Sequence, residues 1–199
     1  MSLARTTDTR DRLAQALKES LRTARLSQVT VAGLTARAGV RRQTFYYHFD
    51  DVHDLTTWVF TTEVADHVLA HASHARWAEG FQELLEYLRA NREQCEAVTR
   101  SLTHVELERF LHAQLRAMME AVVTELESED PRLRAAPEDR DFVVEHYTLS
   151  VLGHLLHWLA TEMAAEPEIL VQRLQRLLDG SVSASLARFA DGGTTGHHG

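Results

Sequence analysis

Apolar residues recur along this chain every three or four positions, and alternating apolar–polar runs are absent. That period predicts an almost wholly helical protein. Leu13, Leu17 and Leu21 repeat at i, i+4 and i+8, with Ala14 and Ala16 beside them, and predict a first helix over residues 9–24. A second covers 31–38. Thr30 supplies a hydroxyl at its N-cap, and Gly39 ends it in the left-handed conformation that glycine adopts at little steric cost. Further helices are predicted over 41–48, 52–73, 81–90, 92–101 and 105–128. Residues 128–137 hold two prolines and no apolar period, so they read as a loop. Two long helices, 138–164 and 167–189, close the fold, with Pro167 in a first turn where its missing N–H costs nothing.

Composition narrows the class. The chain has 199 residues, 44% hydrophobic and 25% charged, which is ordinary for a globular protein. No run of about 18 apolar residues is present, so no transmembrane helix is expected. Arg5, Asp8, Arg10, Asp11 and Arg12 stand where a signal peptide needs apolar residues. Cys95 is the only cysteine, which excludes an internal disulfide framework. A cytoplasmic protein is the expectation, and no cofactor is called for.

The net charge of −8 looks hostile to nucleic acid until it is divided along the chain. Residues 1–50 hold nine basic and four acidic side chains, a net +5. The remainder holds twelve against twenty-five, a net −13. A basic segment joined to an acidic one is a known sign of nucleic-acid contact at the basic end.

Within that segment, two short predicted helices flank Gly39, a helix-turn-helix pattern. In the second, Phe45 and Phe49 at i, i+4 can face a core with Val31, Leu34 and Val40. Arg42, Gln43, Thr44, Tyr46, Tyr47 and His48 occupy the rest. Such a helix fits a DNA major groove, where Arg matches a guanine edge and Gln an adenine edge.

The run TARAGVRRQTFYYHF (residues 35–49), followed by Leu55, resembles the DNA-binding domain of TetR-type transcriptional regulators. The segments YLRANREQ (87–94) and GHLLHWLATEMAAEPEILVQRLQRLLDG (153–180) resemble the C-terminal domain of a TetR subgroup that includes regulators of dihydroxyacetone-kinase-type operons. The resemblance implies an all-α fold of about nine helices and a homodimer reading a palindromic operator. It implies a helix-turn-helix domain over 1–52, an effector-binding and dimerisation domain over 53–190, and a flexible tail over 191–199. By position, Arg42, Gln43, Thr44, Tyr46, Tyr47 and His48 fall on the family's DNA-contacting positions, and Thr30 and Arg37 on backbone-contacting ones.

Two departures matter. Arg41 stands where the family usually has a capping residue, and its cation is disfavoured at a helix N-terminus unless it meets a phosphate. Asp50 and Val52 stand where the family carries lysine, which leaves His53 and backbone N–H groups to hold a phosphate there.

The resemblance also implies an effector pocket in the C-terminal domain. Its candidates are Trp77, Phe81, Leu84, Tyr87, Cys95, His104, Phe110, Met118, Met119, His146, Tyr147 and His154, although such side chains also fill bundle cores. Some members of the subgroup bind a kinase-like partner protein instead. Leu149, Leu152, Leu156, Leu170, Leu174 and Leu177 form an apolar stripe expected at a dimer seam. His67, His71 and His74 at i, i+4, i+7 are a metal candidate against the simpler reading of a solvated helix face. No nucleophile–base pair, phosphate loop or paired carboxylates stand out. The expectation is a homodimeric repressor, with a partner-dependent co-regulator and a metal-binding helical enzyme as rivals.

Overall fold

A computed structural model describes residues 2–192; of the flexible tail expected over 191–199, Asp191 and Gly192 end the last helix, and the rest, with His197 and His198, lies outside the described residues. The described residues contain helices and no strand. Ten α-helices run in the order α1 (Ser2–Leu21), α2 (Val31–Ala38), α3 (Arg42–His48), α4 (Val52–Ala70), α5 (Trp77–Ala90), α6 (Arg92–Ser101), α7 (His104–Glu129), α8 (Pro137–Ala160), α9 (Pro167–Leu178) and α10 (Ser181–Gly192). Short 3-10 turns occupy Leu26–Gln28 and Pro131–Leu133.

The last predicted helix is two helices. Gly180 adopts φ +68 after the Asp179 C-cap, and that left-handed residue ends α9 before α10 begins. The fourth predicted helix stops three residues early, at Ala70. α8 ends at Ala160, because Glu162 and Met163 both take positive φ and the Met163 N–H bonds the Trp158 carbonyl.

The chain packs as two compact units. The first holds the chain up to Glu63 together with Asn91–His104. Its core is Leu13, Leu17, Leu26, Leu34, Phe45, Phe49, Leu55 and Val59, joined by Ala97 of α6. The division expected at residue 52 lies at the start of α4, whereas the packing units part at Glu63, because Leu55 and Val59 are spent on the first core. Two polar ties add to it: the Glu93 carboxylate accepts from the Leu26 N–H at 3.1 Å, and Lys18 pairs with Glu63 at 2.7 Å.

The second unit holds Val64–Ala90 and the chain from Val105 onward. Phe81, Leu84 and Leu88 of α5, Leu111, Leu115 and Val123 of α7, Val144, Val151 and Leu155 of α8, and Leu186 of α10 are fully buried. Over this core, Arg116 bonds Glu145 at 2.7 Å and also Asp141, while Arg140 bonds Glu120 at 2.8 Å and Glu127 at 3.1 Å. These partly exposed pairs fix the register of α7 against α8 more than they add stability.

Candidate nucleic-acid interface

The helix-turn-helix forms because three local devices agree. Thr30 caps α2, its Oγ1 accepting from the Gly33 N–H at 3.1 Å. Gly39 follows α2 at φ +63 and ψ +37, and its N–H bonds the Ala36 carbonyl. The third device was invisible in the sequence. Arg12 of α1 reaches the turn and donates Nη2 to the Ala38 carbonyl and, at 3.1 Å, to the Gly39 carbonyl. The guanidinium closes carbonyls that the end of α2 leaves unpaired. It lies 26 residues from Ala38 in sequence, so no spacing rule could have found it.

α3 is anchored through its predicted inner face. Phe45 is 0% and Phe49 4% exposed, and their rings lie 5.9 Å apart. Phe49 also meets Trp58 of α4 at 5.7 Å. Arg10 of α1 places its guanidinium over both Phe49 and Trp58.

The outer face is as open as the inner one is closed. Arg42, Gln43, Tyr46 and Tyr47 are exposed, Tyr47 by 80%, while Thr44 and His48 are half-buried on the flanks. Arg42 donates to the Tyr46 hydroxyl at 3.2 Å and lies over its ring, 5.6 Å from the centroid. The pair presents one organised donor surface. Arg41 occupies the N-cap of α3 with no side-chain capping bond, which leaves its guanidinium exposed at the edge of the same face. Burial and the nearby Arg10 cation hold the His48 imidazole below its ordinary pKa, so its neutral form is favoured. Thr30 and Arg37 are also exposed, but Arg37 pairs with Glu19 at 3.4 Å.

The start of α4 differs from expectation. Asp51 caps it, accepting from the Asp54 N–H at 2.8 Å, and Asp54 accepts from the Asp50 N–H at 3.0 Å. One of the backbone donors expected to hold a phosphate is therefore taken, and three carboxylates surround the position. The Asp51-x-x-Asp54 spacing is a capping-box variant and was the signal that could have revealed this.

The remaining candidates divide. In the second unit Trp77 and Met118 line a cavity of about 90 Å³ with His74, Met119, Val122, Gln175, Leu178, Asp179, Gly180, Val182 and Ser183. Leu84 and Phe81 are core. The Tyr147 hydroxyl is engaged by the Ser181 carbonyl at 2.8 Å and Ser185 Oγ at 2.9 Å. The Tyr87 ring meets that of His67 at 4.9 Å, tilted by 39°. His104, His146 and His154 are exposed, and Phe110 is half-buried, none of them on that cavity. Cys95 is buried in the first unit, and burial pushes its thiol up to about 11, which keeps it unreactive.

His67, His71 and His74 are not brought together. α4 ends before His71, so the helical spacing fails; His67 faces Tyr87, His71 Nδ1 lies 3.6 Å from Glu83, and His74 lines the cavity. Among the described residues no group of three metal-ligating side chains converges. Of the proposed seam leucines, Leu149 and Leu177 are exposed and Leu156 and Leu170 half-buried. Leu152 and Leu174 are 2% exposed and belong to the subunit's own core, so they cannot meet a partner.

No helix among the described residues is long and apolar enough to cross a membrane. Residues 75–180, just over half of the chain, match the TetR-type family described as the transcriptional regulator C-terminal region. A curated relative, the HTH-type dhaKLM operon transcriptional activator DhaS of Lactococcus lactis subsp. lactis (strain IL1403), is 29% identical over 79 residues. That alignment spans 40% of this chain and 42% of the relative, less than half of each. A solved structure titled dihydroxyacetone kinase operon activator DhaS superposes with a TM-score of 0.65 at 20% identity, over 91% of this chain and 97% of that one. With the helix-turn-helix already in place in the first unit, the chain belongs to the TetR family of DNA-binding transcriptional regulators.

Proposed function

We propose that this regulator acts as a homodimer that reads a palindromic operator with one α3 per subunit. The observation that carries the reading is the division of α3: Phe45 and Phe49 lock one face, while Arg42, Gln43, Tyr46 and Tyr47 are exposed on the other. Arg42 would meet a guanine edge and Gln43 an adenine edge. Tyr46, Tyr47, Thr44 and His48 would meet bases or phosphates, and Thr30, Arg37 and Arg41 the DNA backbone. Arg37 must leave Glu19 to do so, a small cost for an exposed pair.

Two recognition helices are needed because one reads too few bases, and successive major grooves lie about 34 Å apart. Leu149 and Leu177, with Phe142 at 63% exposure, supply apolar surface in the helices α8 and α9 for the subunit seam. An effector in the second unit would release the operator by binding the released conformation more tightly than the DNA-bound one. Repression follows most simply from operator occupancy. The word activator in the relatives' names favours activation as a second reading. A reporter carrying the operator, with and without the protein, separates the two by the sign of the change. Operator selection from random DNA tests the reading itself: two inverted half-sites support it, and a single asymmetric site contradicts it.

A further inference from the structure

We propose that the cavity between α5, α7 and the α9–α10 junction is a binding site for a small neutral polyhydroxylated molecule of three or four carbons. The proposal rests on the second unit being the effector-binding part of the regulator. Size sets the first limit. About 90 Å³ falls short of the ~150 Å³ cavity that accepts benzene. A six-carbon sugar or an aromatic ligand is therefore too large to be enclosed there.

The lining sets the second limit. Trp77 and Met118 give an apolar wall, and the unbranched thioether of Met118 can adjust to a short carbon skeleton. His74, Gln175, Asp179 and Ser183 give the opposite, polar side. The break at Gly180 brings the last turn of α9 and the first turn of α10 to the same opening. Ser183 Oγ donates to the Gly180 carbonyl at 3.0 Å and keeps its lone pairs for an incoming donor. Among the described residues no side-chain hydrogen bond occupies the Gln175 amide, the Asp179 carboxylate or the His74 ring. His74 is held through its backbone instead, its N–H donating to Glu125 at 2.6 Å.

That set selects hydroxyl groups. A ligand hydroxyl can donate to Asp179 and accept from Gln175, and a second can pair with His74 or Ser183. A small hydrocarbon would strip water from Gln175 and Asp179 and return no bond. A small anion would meet the Asp179 charge. A diamine would suit Asp179 but leave the amide, hydroxyl and imidazole without a matched partner.

Calorimetric titration of the full chain with glycerol and erythritol tests this, with 1-propanol, malonate, putrescine and glucose alongside. Saturable binding of a polyol, weakened at least tenfold in Ser183→Leu, is expected. Gln175→Leu, at an exposed position, should weaken it as well and guards against a folding defect in the first variant. No saturable polyol heat, equal binding in both variants, or tighter binding of malonate, putrescine or glucose would overturn the proposal. Operator binding is measured on the same samples. If DNA binds and no polyol does, this site is wrong and the regulator reading stands; if DNA does not bind, that reading fails on its own.

Discussion

Gly39→Ala is the sharpest test of how the reading head is held. Gly39 sits at φ +63, where an L side chain costs about 1–2 kcal/mol. A Cβ there would also lie 3.0 Å from Arg12 Nη2. The guanidinium must then give by a few tenths of an ångström, which weakens its bonds to the Ala38 and Gly39 carbonyls. Charge-assisted hydrogen bonds contribute about 1.5–3 kcal/mol when well formed, and partial exposure reduces this pair to about 1 kcal/mol. The substitution should therefore destabilise by about 2 kcal/mol, or about 4–8 °C in melting temperature for a chain of this length. Thermal denaturation followed by circular dichroism gives the number. Removing Arg12 first separates the two causes. In an Arg12→Ala background Gly39→Ala should cost only the backbone share, so the two changes should couple by about 1 kcal/mol. A loss below about 0.5 kcal/mol, or equal losses in both backgrounds, would refute the bracing role of Arg12.

Further expectations follow from the same geometry. Asp50→Lys places a cation beside the α4 N-terminus, and the slope of log K against log salt should steepen by about one for the added phosphate contact; a wild-type slope already steeper than about −6 would contradict the closed state of that terminus. The depressed pKa of His48 means the unfolded chain takes up its proton first as pH falls below the ordinary 6.5. Stability contributed by neutral His48 is thus full above that value and is lost as pH falls through the lower folded pKa. His48→Gln should flatten the curve there, and an unchanged denaturation profile from pH 7 to pH 5 would count against it. Leu149→Glu should convert the dimer to monomer in sedimentation while leaving the subunit's helicity intact, because Leu149 is half exposed; a dimer that survives would move the seam elsewhere.

The helical class and the helix-turn-helix were readable because each rests on local rules. Leu13 and Leu17 repeat at helical spacing, Thr30 caps, and Gly39 turns. Phe45 and Phe49 announced the inner face of α3 by their four-residue separation. What could not be read depends on distance in sequence. Arg12 finds its carbonyls 26 and 27 residues away, and Glu93 caps Leu26 from 67 residues away. The histidine triplet misled because helical spacing was extended past Ala70, where the helix stops. Leu152 and Leu174 misled for a related reason: a stripe of leucines marks a buried face without saying whether the subunit or its partner covers it. The ligand candidates scattered because large side chains serve a bundle core and a pocket equally well, and only Trp77, Met118 and Met119 of them met at one cavity.

The exposed face of α3 is the centre of the functional reading, and one titration decides it. A selected operator is titrated with the wild-type chain and with Arg42→Ala at fixed salt. Loss of a bidentate base contact is worth about 1–3 kcal/mol in each half-site, about 2–6 kcal/mol for the dimer, so affinity should fall by roughly 30-fold or more, with melting temperature little changed because Arg42 is exposed. Equal operator affinity in the two proteins would contradict α3 as the helix that reads DNA.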